Sequence, residues 1–212
     1  MDWIIVDCED TGFSDTDEPI PQQPIELAAL RVRDWQVTAR LYCRWQPSIA
    51  VQPKAAAVNG YTVANWIDAG WMRERDMTEF ADIAHGAQWA GSFPDYDFRL
   101  LDEARRSFGL PTFPLGTHRK LDVGTLGAPL LRALGVTRGG MDPIVDTLAS
   151  LGMPVPPMPA DLAAMARGRT GPHTAMGDSW RTLHALRCLW EPAERHWRTV
   201  GAMYAAEHMP RD

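Results

Sequence analysis

The chain has 212 residues, 45% of them apolar, with nine tryptophans and a formal net charge of −6. That is enough to bury a sizeable core in one domain and excludes global disorder, and the net charge argues against broad, non-specific wrapping of nucleic acid while leaving room for a local basic groove. Three widely spaced cysteines, Cys8, Cys43 and Cys188, form neither a disulfide framework nor a zinc pattern. With no basic-then-apolar leader and no run of about 18 apolar residues, a soluble, cytoplasmic chain without membrane contact is expected.

The first element is Trp3-Ile4-Ile5-Val6, continuously apolar and β-prone, which predicts a central strand buried on both faces. Asp7 and Glu9 follow at i and i+2. On a strand that spacing puts both carboxylates on one face, where they repel and call for a cation. Hard divalent ions favour such oxygen ligands. A strand running out into an acidic, solvated loop explains the same residues, and on this stretch alone both readings stay open. After a polar connection over residues 13–23, residues 24–33 and 36–45 alternate around Asp34-Trp35 and predict an antiparallel hairpin. With the first strand this gives a three-stranded meander.

A short helix over residues 54–58 ends at Asn59-Gly60. Helical spacing recurs in residues 62–87, a short strand is expected at 88–91 and a helix at 95–108. Residues 118–122 suggest another strand, with helices at 126–134 and 141–151 after it. Residues 152–159 hold four prolines and form a loop, followed by one or two helical turns at 161–166. A basic loop with Arg167 and Arg169 then leads to a helix at 173–190 and a last one at 194–207. Strands first, then alternating helices and strands, predict a mixed sheet with helices on its faces.

Two more acidic places stand out. Asp97 lies near a helix start, where the macrodipole favours negative charge and an N-cap role is the plainer account. His173 and Asp178 are five residues apart; mid-helix they would point about 140° from each other. His173 is therefore expected on the loop before the helix, with Asp178 turned toward the sheet.

Taken together, Asp7-x-Glu9-x-Thr11-Gly12, then Tyr96-Asp97 with Leu100-Leu101, then His173-x-x-x-x-Asp178 resembles the DEDDh, or DnaQ-like, 3′→5′ exonucleases of the RNase H-like superfamily. Each motif alone is weak; the three in order span roughly residues 3 to 190. The resemblance implies an α/β fold with a mixed five-stranded sheet, the antiparallel meander plus parallel strands, flanked by helices. The domain would cover residues 1–190, with 191–212 a helical extension. It further implies that Asp7, Glu9, Asp97 and Asp178 converge on two divalent metal ions, Mg²⁺ or Mn²⁺, with His173 as general base. The activity implied is hydrolysis of single-stranded DNA or RNA from its 3′ end to nucleoside 5′-monophosphates. Thr11, Gly12 and Phe13 are candidates to meet the terminal nucleotide, and Arg167 and Arg169 to hold its phosphates. A catalytically weak binding module, or a polymerase-associated proofreading module, remains the alternative, and a homodimer or polymerase partner is left open. One departure is Asp10, where the family usually carries Thr. Glu26 is expected to be exposed. Trp3, Trp180 and Trp190 are expected in the core, and Trp66, Trp71 and Trp89 are groove candidates.

Overall fold

The computed structural model describes residues 1–12, 21–113 and 120–208, with side chains through residue 192. β1 (Asp2–Asp10) is the centre of the molecule. It pairs antiparallel with β2 (Pro24–Arg33), which pairs antiparallel with β3 (Gln36–Arg44). α1 (Pro53–Asn59), α2 (Val63–Trp66) and α3 (Glu74–Ala84) lead to β4 (Gln88–Gly91), which lies parallel to β1 on its other side. α4 (Pro94–Ser107) leads to β5 (Lys120–Asp122), parallel to β4. The sheet order is β3-β2-β1-β4-β5. α5 (Val123–Ala133), α6 (Met141–Ser150), α7 (Ala160–Met165) and α8 (Ala175–His208) complete the chain. The expected mixed five-stranded sheet with its antiparallel meander is therefore present. Among the described residues no helix is long and apolar enough to cross a membrane.

Strand alternation divides the core in two. Trp3 and Ile5 face one side with Ala28, Leu30 and Val32, under Val123, Ile144, Leu148, Met176 and Leu186 from α5, α6 and α8. Ile4 and Val6 face the other side with Leu27 and Ala29, under Met77, Phe80 and Leu101 from α3 and α4. The same parity carries Asp7 and Glu9 to the α8 face and Cys8 to the α4 face.

Several boundaries differ from the sequence expectation. β1 runs on to Asp10 because β2 pairs along its whole length, so the acidic residues belong to the strand rather than to a turn after it. Residues 62–87 break into α2 and α3, with an isolated bridge from Trp45 to Gly70. α5 starts at Val123, because the Asp122 carboxylate accepts the Gly124 backbone N–H and caps it there. The two helices expected at 173–190 and 194–207 are one continuous α8 with Pro192 inside it. A proline removes one helical hydrogen bond, but the residues around it are mostly good helix formers and the helix continues. The domain boundary expected at residue 190 falls within this helix. The strand expected from His118 begins at Lys120 among the described residues, His118 itself lying outside them.

Candidate active site

β1 outruns its neighbour. The last β1–β4 pair is Ile5 with Ala90, so Asp7, Cys8 and Glu9 project beyond the end of β4. Into that gap comes α4, which opens with Pro94 after Phe93, held in the left-handed region at φ 81°. Asp97 lies in the first turn, where the helix dipole favours a carboxylate. It is 5% exposed and accepts a hydrogen bond from the Cys8 backbone N–H.

Asp178 arrives from the opposite face. Residues 171–174 form a turn in which the Thr174 hydroxyl donates to the Gly171 carbonyl (2.7 Å) and accepts from the Gly177 N–H (3.2 Å). Gly177 has no substitute here, since a Cβ would stand 1.9 Å from the Gly171 oxygen. This turn carries His173 at φ 58°, exposed to solvent. Its backbone N–H donates to Asp178 Oδ2 at 2.9 Å. The serine after Asp178 ties α8 to the sheet, Ser179 Oγ donating to the Ala28 carbonyl at 3.3 Å.

The outcome is a cluster in which Asp7, Glu9 and Asp178 each offer a carboxylate oxygen within 4.8 Å of the others. Asp97 lies near enough for its charge to act on Asp7, at the level of the strand where it bonds the Cys8 N–H. Burial pushes the Asp7 carboxyl well above the usual range, and the charges of Asp97, Asp178 and Glu9 push it further. Glu9 is raised to about 8, first by burial and then by the charges of Asp178 and Glu26. Burial likewise raises Asp97 well above its ordinary value. Asp178 is raised by burial, against an opposing pull from Arg181. Acids drawn from separate elements and held this close fit a hard divalent cation, which takes carboxylate oxygen and supplies the missing positive charge.

This electrostatic frustration has a measurable consequence. Acids with raised folded-state pKa values retain protons that the unfolded chain has released. Their contribution to stability is fully present below the unfolded value, 4.5 for Glu9, and is lost as pH rises through about 8. Asp2, whose carboxyl Arg31 lowers below 3.8, acts at more acidic pH and leaves this window alone. The melting temperature of chelator-treated protein should therefore fall between pH 5 and pH 8.5. Added Mg²⁺ or Mn²⁺ should restore it, most strongly at the alkaline end. A melting temperature independent of pH over this range, with or without metal, would contradict the frustration.

Glu26 corrects the expectation of exposure: it is 0% exposed. It lies directly opposite Glu9 in the β1–β2 ladder, a like-charge pairing that is destabilising on its own. Burial is possible because Arg169 Nη2 pairs with Glu26 Oε2 at 3.0 Å and Tyr42 Oη donates to Oε1 at 2.7 Å. Arg169 also donates to the Asn59 carbonyl at 2.8 Å, and its guanidinium lies 4.4 Å from the Trp66 ring centre. Removing one partner leaves the other charge buried and uncompensated. Arg169→Met should cost about 3–5 kcal/mol in urea unfolding. Most of that should return in the Glu26→Gln, Arg169→Met double variant. An equal loss in the double variant would mean that the pairing is not what holds this corner.

Thr11 and Gly12 form a clasp against α1. Thr11 is 1% exposed, with its N–H donating to the Gln23 carbonyl and its hydroxyl accepting from the Gln23 N–H. Gly12 has φ 89°, and a Cβ there would stand 2.6 Å from the Ala55 Cβ. Asp10 does not join the carboxylate group. A register shift after Glu9 re-aims it, its Oδ1 accepts the Gly12 N–H at 2.6 Å, and its Oδ2 accepts from the Tyr96 hydroxyl. A cleft of about 330 Å³ separates Glu9, Asp10 and Gly12 from Lys54, Ala55, Val58 and Asn59. Phe13 lies outside the described residues. Arg167 is exposed and paired with Asp68.

Of the tryptophans, Trp3 is buried and meets Trp190 edge to face at 5.3 Å, while Trp180 and Trp190 are partly buried. Trp66 and Trp89 are 1% and 2% exposed and cannot line a groove; Trp71, at 61%, is the exposed one of those three candidates. Arg181 was missed in the sequence; it donates to Asp178 Oδ1 at 2.8 Å and pairs with Asp142. Its position one helical turn after Asp178 was the available signal.

No family model matches the chain, and no curated protein matches it in sequence. Solved structures do match. One is Exonuclease X in complex with 5′ overhanging duplex DNA, with a TM-score of 0.58 and 16% identity over 91% of this chain and 93% of that one. Another is the nuclease domain of 3′hExo, a DEDDh family member, bound to rAMP, with a TM-score of 0.61 and 13% identity over 90% and 92%. A third is Exonuclease I of E. coli in complex with a dT13 oligonucleotide, with a TM-score of 0.61 and 14% identity, where 92% of this chain covers 43% of that one. The sheet order, the strand that outruns its neighbour and these matches agree: the chain has the RNase H-like fold of the DEDDh exonucleases.

Proposed function

We propose that this chain is a metal-dependent 3′→5′ exonuclease that shortens single-stranded nucleic acid to nucleoside 5′-monophosphates. The observation that carries the reading is the carboxylate cluster: Asp7, Glu9 and Asp178, from β1 and α8, bring oxygens within 4.8 Å of one another. Asp97 approaches from α4. These four acids would hold Mg²⁺ or Mn²⁺. When bound, such ions lower the pKa of a water and offset the charge that develops on a phosphodiester.

The chain's own residues account for the rest. His173 stands on an exposed turn beside Asp178, free of the helix, where an imidazole nitrogen takes the proton of the attacking water. Its backbone N–H fixes the carboxylate at the same time. Thr11 and Gly12 would meet the terminal nucleotide through their backbone, because the Thr11 side chain is buried and the Cβ position of Gly12 is closed by Ala55. Phe13, outside the described residues, is a candidate to stack on a base. Arg167 would exchange its exposed partner Asp68 for a substrate phosphate. Arg169, bound to Glu26, would contribute to substrate binding by holding the α1 corner rather than by leaving it.

The test is release of mononucleotides from 3′- and 5′-labelled single-stranded DNA and RNA, with Mg²⁺, with Mn²⁺ and with chelator. Stepwise shortening from the 3′ end, abolished by chelator, is expected. No cleavage of either polymer with either metal would replace this reading with a nucleic-acid-binding module on the same fold.

A further inference from the structure

Asp178 divides its carboxylate between two donors. Oδ2 accepts the His173 backbone N–H at 2.9 Å, and Oδ1 accepts from Arg181 Nη1 at 2.8 Å. The other side of the same guanidinium reaches Asp142, in the first turn of α6. The Arg181 side chain is 13% exposed, against 49% for Asp142. Arginine keeps its charge at any working pH, and its planar fork can span two carboxylates. The Asp142–Arg181–Asp178 bridge thus places a fixed positive charge against one member of the cluster. Its outer end is anchored on a different helix.

We infer that Arg181 is a positioning residue that serves as the resident counter-ion of Asp178, so that a divalent cation must share that carboxylate with it. This rests on the metal-binding reading of Asp7, Glu9 and Asp178. Arg181 holds the carboxylate in place while it opposes the arriving cation. Asp142 moderates that opposition, because it draws the guanidinium outward and balances part of its charge. The bridge therefore sets how tightly the site takes metal.

Isothermal titration with Mn²⁺ tests this without any turnover. Arg181→Met keeps the length of the side chain and removes the charge; it should tighten Mn²⁺ binding on the order of tenfold. Arg181→Lys keeps the charge and should stay within roughly threefold of the wild type. Asp142→Asn, at a half-exposed position, should weaken binding by about threefold, since the guanidinium then turns its full charge on Asp178. A merely structural bridge would give weaker binding in both Arg181→Met and Asp142→Asn. Opposite directions are the signature of a competing counter-ion. Equal affinity in the wild type and Arg181→Met, or weaker binding in both variants, overturns the inference while the metal site stands. Absence of Mn²⁺ binding by the wild type overturns the metal site and the inference with it.

Discussion

Asp7→Asn will abolish metal-dependent nuclease activity, by at least about 10³-fold, and will raise the melting temperature of the metal-free protein. The first effect follows from position. Asp7 lies on the central strand, within reach of Glu9 and Asp178 and close enough to Asp97 to feel its charge. On the proposed metal-binding reading, losing its charge would remove a central ligand rather than a peripheral one. The second effect has the opposite sign to most substitutions at partly buried sites. Burial and three neighbouring acids, Asp97, Asp178 and Glu9, all disfavour the ionised carboxylate. An amide of the same shape relieves that repulsion, for an expected gain of about 2–6 °C at pH 8. Activity measured against labelled oligonucleotides and melting measured with chelator present check the two halves separately. An inactive variant that melts lower than the wild type would mean that Asp7 is a structural residue. Retained activity would remove it from the metal site.

His173→Ala should lower the rate by about 10²–10⁴-fold while leaving Mn²⁺ affinity nearly unchanged. The separation is possible because His173 uses different atoms for its two contacts. Its backbone N–H reaches Asp178, and that hydrogen bond survives in the alanine variant. Its imidazole is exposed on the turn before α8 and is not tied into the core. For the same reason, added imidazole can reach the vacated space and should restore part of the rate. Unchanged turnover would remove His173 from the general-base role. A rate loss matched by an equal loss of metal binding would assign it to holding Asp178 instead.

How much of this was legible in the sequence depends on the range of the interaction. Asp7 and Glu9 share a face because strand alternation is local, and the apolar run before them announced the strand. The turn that carries His173 was legible from the five-residue spacing to Asp178, which does not suit one helical face. Glu26 was not legible. It sits in a strand that reads as alternating, and its burial depends on Arg169, 143 residues away. The partners of Asp10 were not legible either: a register shift after Glu9 and the Tyr96 hydroxyl, 86 residues away, hold it apart from the cluster. The break expected at residues 191–193, around Pro192, was an over-reading of local propensity, since a long helix can carry one missing hydrogen bond.

The acids of the cluster come from widely separated parts of the chain, and this orders events during synthesis. A chain leaving the ribosome exposes Asp7, Glu9, Glu26 and Asp97 long before Arg169, His173 and Asp178. At about 5–20 residues per second, the 143 residues between Glu26 and Arg169 take roughly 7–30 s to make. During that interval Glu26 lacks its cation, and β1 lacks α8, the helix that covers one of its faces. All five strands precede residue 123, so the sheet can pair first, but the face that α8 covers closes only after the turn at residues 171–174 has emerged. A nascent or prematurely released fragment therefore holds Asp7, Glu9 and Asp97 without Asp178, and the carboxylate cluster is completed only when the last helix arrives.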